Sequence, residues 1–80
     1  MNRNGDANAP KPVLIIEDDA QIRRFLRQTL AEEGCPTLEA ANGATGLALA
    51  REQHPGLVIL DLGLPDRDGV DLIPELLGWN

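Results

Sequence analysis

Carboxylates close two short apolar runs in this chain, and that placing defines the chemistry open to it. Val13-Leu14-Ile15-Ile16 leads into Glu17-Asp18-Asp19, and Leu57-Val58-Ile59-Leu60 leads into Asp61. Unbroken runs rich in β-branched side chains suit strands covered on both faces, and open parallel sheets bind ligands just beyond the carboxyl ends of their strands. With the two runs as parallel neighbours roughly 5 Å apart, Asp18, Asp61 and one of Glu17 or Asp19 converge on a single point. Like charges that close push a proton onto one of their number, whereas a hard divalent cation with oxygen ligands lets all stay ionised. A cation-assisted carboxylate cluster is the expected chemistry.

The elements that must position these acids follow from the spacing of apolar residues. After the acidic cluster, Ile22, Phe25, Leu26, Thr29 and Leu30 recur at helical period, with Arg23, Arg24, Arg27 and Gln28 between them. The helix is predicted over about 20–33, with Asp18 or Asp19 as N-cap, Gln21 completing a box-like cap and Gly34 as the stop. Thr37-Leu38-Glu39-Ala40 is a short, partly polar strand suited to a sheet edge. Asn42 caps a second helix carrying Leu47, Ala48, Leu49 and Ala50, which must end near His54 because Pro55 disfavours helical geometry in the residue before it. A loop from Leu62 to Gly69 leads to a third helical pattern in Val70, Leu72, Ile73, Leu76 and Leu77, where Pro74 is expected to kink the helix or delay its start. The order β-α-β-α-β-α, with right-handed crossovers, describes a parallel α/β unit with helices on both faces.

Composition excludes several functions. The formal net charge of −6 argues against this segment gripping nucleic acid, which needs a basic patch. No apolar run approaches the roughly 20 residues that cross a membrane, and the polar first residues lack a signal-peptide core. Cys35 is the only cysteine, so no intrachain disulfide is possible and a reducing cytosol is the expected compartment. Residues 1–12 are read as a disordered tail. About 68 residues then remain, at or below the roughly 70–80 at which a single core becomes marginal, so 13–80 is read as part of a domain.

The acidic run Glu17-Asp18-Asp19, the strand-closing Asp61 and the stretch Leu62-Gly63-Leu64-Pro65-Asp66-Arg67-Asp68-Gly69 together resemble the receiver domain of bacterial two-component response regulators. Within that family the wording is most similar to the winged-helix (OmpR/PhoB-type) regulators, those of potassium transport in particular. The resemblance implies a flavodoxin-like (CheY-like) fold in which strand three lies beside strand one in the order 2-1-3-4-5. It implies that Asp61 is the phosphoacceptor, that Glu17 and Asp18 are the acidic pair holding Mg²⁺, and that Gly63 contributes its backbone carbonyl. Pro65 and Gly69 match loop-shaping positions. A sensor histidine kinase is the implied phosphoryl donor, the module is a cytoplasmic switch rather than an enzyme, and transcription is controlled through a separate DNA-binding domain of the full-length protein.

The departures set further expectations. The resemblance runs from about Val13 to Leu77 and covers three of the family's five strands, so the chain is read as a receiver truncated after its third helix. Neither the strand-four Ser/Thr nor the strand-five Lys has a counterpart, since Lys11, the only lysine, precedes the first strand by about 16 Å from the acids. Slow or brief phosphorylation is expected, with a non-switching fragment or interaction module as the alternative. A haloacid-dehalogenase phosphatase is excluded, because that pattern needs an acid two residues after the nucleophile and Gly63 stands there. The uncovered edge of strand three is expected to drive self-association.

Other residues have plainer readings. Asp18 is a cap as well as a ligand, Asp19 is a cap or solvated charge, and Asp66, Asp68 and Asp71 are loop and first-turn acids without a site role. His54 is structural. Arg23, Arg24 and Arg27 form a solvated face, with kinase docking as the alternative. Trp79 is an interface anchor or an exposed side chain.

Overall fold

The computed structural model describes residues 10–78. Most of the expected tail, 1–9, and Trp79 lie outside them. Three strands, β1 (Val13–Ile16), β2 (Thr37–Ala40) and β3 (Leu57–Leu60), alternate with three helices, α1 (Ala20–Glu32), α2 (Gly43–Gln53) and α3 (Gly69–Leu77). The sheet is parallel in the order β2-β1-β3, so β1 is central and buried along its whole length. Ile16 pairs with Ala40 on one side and Leu60 on the other, which brings Glu17 and Asp61 into step at the carboxyl edge.

Alternation along the strands sorts the side chains between two faces. Leu14, Ile16, Leu38, Ala40, Val58 and Leu60 meet Leu47 and Ala50 of α2, Leu64 of the following loop, and Leu72 and Leu76 of α3 in one cluster. On the other face Glu39 pairs with Arg23 at 3.4 Å and Arg27 at 2.7 Å, which holds α1 against β2. Arg23 and Arg27 are therefore engaged rather than free, for β2 supplies a carboxylate on the side where α1 crosses; Arg24 and Arg27 are exposed and Arg23 is half-buried. The amphipathic period of α1 is present but only partly covered: Leu26 and Leu30 are half-buried, Ile22 and Phe25 exposed. No residue of α1 is buried, and Phe25 is 66% exposed.

Capping differs in detail from the sequence reading. Asp19 alone caps α1, its Oδ1 accepting from the Gln21 and Ile22 N–H groups at 2.8 and 3.2 Å. Its own N–H donates to Glu17 Oε2 at 3.2 Å, so Glu17 fills the place assigned to Gln21. The helix ends at Glu32, one residue early, and Gly34 takes the left-handed conformation that stops it (φ 76°). His54 closes α2 in the left-handed region (φ 47°), where the Pro55 ring permits no further turn. α3 starts at Gly69 without delay despite Pro74. Asp68 caps it, Leu72 and Leu76 bury its inner face, and the helical donor that Pro74 lacks belongs opposite the carbonyl of Val70, an exposed residue that water can reach.

Candidate functional site

Each candidate ligand is set in place by an element that ends where the acid begins. β1 stops at Ile16, and Glu17 carries the ladder one bond further, donating its N–H to the Ala40 carbonyl at 3.0 Å while its side chain accepts from Asp19 N–H. β3 stops at Leu60, and Asp61 continues the ladder for one more bond, donating to the Ile16 carbonyl at 2.8 Å. Carboxylate oxygens of Glu17, Asp18 and Asp61 then lie within 4.8 Å of one another. Glu17 and Asp61 are half-buried and Asp18 is exposed. Asp19, the alternative to Glu17 in the sequence reading, is outside the group because its oxygen is committed to the α1 cap.

The charges divide as crowded carboxylates do. Loss of hydration raises the Glu17 pKa above its ordinary value, and its contacts with Asp61 and Asp18 add to the rise against the lowering effect of the Asp19 N–H. Asp61 moves the other way, chiefly because Gly63 N–H donates to its Oδ1 at 3.0 Å. An all-oxygen donor set open to water on the Asp18 side fits a hard divalent cation that keeps part of its hydration shell.

The loop that follows Asp61 is held along its length. Gly63 forms an antiparallel bridge with Asp68, and Gly69 N–H donates to the Leu62 carbonyl at 2.9 Å. A Cβ on Gly69 would stand 2.5 Å from the Asp61 carbonyl oxygen and 2.6 Å from Leu62 Cα, so only glycine lets α3 begin this close to the phosphoacceptor candidate. Leu64 enters the core, and Pro65 is exposed at the loop's tip.

Two links to the site were not legible in the sequence. Asp66 accepts from Gly43 N–H at 2.8 Å and Ala44 N–H at 3.0 Å, joining the loop to the start of α2; it is not an idle acid. Arg23 donates to the Glu17 carbonyl at 2.8 Å while pairing with Glu39. The first partnership spans more than twenty residues of chain, and no local pattern signals it. His54 lies at the opposite end of β3 from Asp61, and Lys11 precedes β1, so neither reaches the acids.

This fold and site place the chain in a known family. Residues 13–80 match the response regulator receiver domain, and the chain belongs to that family. The KDP operon transcriptional regulatory protein KdpE of Escherichia coli (strain K12) is 48% identical over 68 residues, covering 85% of this chain and 30% of that protein. The transcriptional regulatory protein KdpE of Mycobacterium tuberculosis (strain ATCC 25618 / H37Rv) is 48% identical over 67 residues, covering 84% and 30%. Among solved structures, a CheY-like response regulator receiver domain protein from Methanospirillum hungatei JF-1 aligns with a TM-score of 0.83 at 32% identity, over 86% of this chain and 55% of that one. The receiver domain of the Francisella response regulator 1452 aligns at 0.79 and 28% identity, over 85% and 56%. The fold is flavodoxin-like α/β. The chain spans 30% of the length of these curated relatives.

Proposed function

We propose that this chain is a phosphoacceptor module of a two-component system, in which Asp61 takes a phosphoryl group from a sensor histidine kinase. The observation that carries the reading is the convergence of Glu17, Asp18 and Asp61 at the carboxyl edge of two adjacent parallel strands. In the transfer, an Asp61 carboxylate oxygen attacks phosphorus as the bond to the donor nitrogen breaks, and the leaving electron pair returns to the imidazole, which picks up a proton. Gly63 N–H fixes the plane of the Asp61 carboxylate and favours its ionised, nucleophilic form. Glu17, Asp18, Asp61 and the Gly63 backbone carbonyl would hold Mg²⁺, which screens the approaching anions and stabilises charge on the transferred group.

The module acts as a regulator rather than a turnover enzyme. In the longer protein, phosphorylation would govern transcription through a separate DNA-binding segment, as the names of the relatives suggest. Residues 13–80 form the receiver portion, and its setting in this reading is cytoplasmic, where a two-component relay operates. Lys11 is the only lysine and lies before β1, so no lysine ammonium supports the transferred group, and transfer in this 80-residue chain should be slow.

Incubation with acetyl phosphate and Mg²⁺, followed by intact-mass measurement, tests the reading. A single phosphoryl adduct that is labile to hydroxylamine and lost in Asp61→Asn supports it. No adduct at any time point identifies the chain instead as a non-switching interaction module, and an adduct retained in Asp61→Asn overturns the assignment of Asp61.

A further inference from the structure

Asp66 lies five residues beyond Asp61 and touches none of the clustered acids, yet its two carboxylate oxygens are both engaged by another element. Oδ1 accepts from Gly43 N–H and Oδ2 from Ala44 N–H, at 2.8 and 3.0 Å. These are the first two amides of α2, which have no partner within the helix. The local cap, Asn42, serves only Thr45 N–H, at 2.8 Å. The leading turn of α2 is thus satisfied by two side chains of different origin, one from its own N-cap and one from the β3–α3 loop. Gly43 makes room for the join, since a Cβ there would stand 3.3 Å from Asp66 Oδ1 and 3.0 Å from Leu72 Cδ1 of α3.

The consequence for the site runs through the loop. Gly63 and Asp68 form the base of an excursion whose tip carries Leu64, Pro65, Asp66 and Arg67. The tip is held at three places: Leu64 in the core, Asp66 on α2, and Arg67 on Glu75 of α3. Gly63, at the base, is the residue whose N–H holds Asp61 Oδ1. We propose that Asp66 is a positioning residue for the carboxylate site: by binding the α2 N-terminus it holds the β3–α3 loop in the shape that keeps Gly63 against Asp61. This rests on the reading of Glu17, Asp18 and Asp61 as the metal and phosphoacceptor site. Residues that hold ligands from outside the coordination sphere commonly change metal affinity by about 10–100-fold when removed.

Asp66→Ala, Asp66→Asn and Asn42→Ala separate positioning from mere support of α2. Asn42→Ala removes a cap from the same helix without touching the loop, so it reports the effect of a weakened α2 alone. Amide hydrogen exchange at Gly63 is measured without metal, and Mg²⁺ affinity by titration. Asp66→Ala should speed Gly63 exchange and weaken Mg²⁺ binding by about tenfold. Asp66→Asn, which keeps one accepting oxygen, should fall between, and Asn42→Ala should leave both readouts at the wild-type level. Gly63 exchange that is unchanged in Asp66→Ala and Asp66→Asn, or raised as much by Asn42→Ala, would overturn the positioning role. A wild-type chain that binds no Mg²⁺ would overturn the metal site itself, and Gly63 exchange would still decide whether Asp66 holds the loop.

Discussion

Three kinds of acid stand near the carboxyl edge of this sheet, and their partners separate them. Glu17, Asp18 and Asp61 crowd one another, Asp19 is committed to a helix cap, and Asp66 is committed to a distant one. The crowding was legible because each acid directly follows an apolar run; spacing alone left Glu17 and Asp19 open, and the choice of Glu17 came from the family resemblance, since physically it depends on which side chain the α1 amides capture. The partnership of Asp66 with α2 was not legible because the partners of this acid lie far upstream. Its pKa is lowered from 3.8, first by Gly43 N–H, then by Ala44 N–H, with the neighbouring Arg67 charge adding to the effect. A depressed folded-state pKa means that ionised Asp66 contributes stability above the ordinary carboxylate value, and that this is lost as pH falls through the lower folded value. Wild type should therefore melt a few degrees above Asp66→Asn at neutral pH, with the gap closing in acid below about pH 3.8. Circular-dichroism melts across pH would check this, and a gap insensitive to acid would refute it.

At the scale of elements, glycine decides how closely the pieces approach. A Cβ on Gly46 in α2 would meet Ile16 Cδ1 at 2.5 Å, and one on Gly69 would meet the Asp61 backbone at the same distance. Gly69→Ala and Gly46→Ala should each destabilise by about 1–3 kcal/mol, as overpacking does. Only Gly69→Ala should also move the Asp61 and Gly63 amide resonances, because its clash is with the site's own backbone; shifts of equal size in both variants would contradict this. Strand and helix placement was readable from apolar period and from Gly34, Asn42 and Pro55. The behaviour around Pro74 was not. Burial of Leu72 and Leu76 lets α3 run continuously from Gly69 to Leu77 across a residue that local propensity reads as a break.

For the molecule as a whole, the sheet order β2-β1-β3 leaves β3 at an edge among the described residues. Beside that edge runs an apolar groove of about 410 Å³, lined by Leu57, Val58, Leu60, Ile73, Leu76 and Leu77. Leu57 and Leu77 are 57% and 68% exposed, and the apolar face of α1 is also open. An open, apolar strand edge of this kind pairs readily with another chain. The 80-residue chain should self-associate through β3 at micromolar concentration in sedimentation equilibrium, and a charged substitution at the exposed end of the strand, Leu57→Lys, should shift it toward monomer. A wild-type monomer at high micromolar concentration with protected β3 amides would show that the edge is covered in another way. The two-faced parallel sheet was legible from element order, and so was α1 as the sole cover of its face; what periodicity could not report is how open the helix's own apolar stripe stays, with Phe25 66% exposed while Ile15 beneath is fully buried.

The central claim is that Glu17, Asp18 and Asp61 form one cation site at the phosphoacceptor edge. Titration with Mg²⁺ followed by backbone amide shifts tests it most directly. Saturable shifts should concentrate at Asp18, Asp61 and Gly63, with affinity at least about tenfold weaker in Asp18→Asn and in Asp61→Asn. Unchanged binding in both variants, or shifts spread evenly over the exposed acids, would contradict the account.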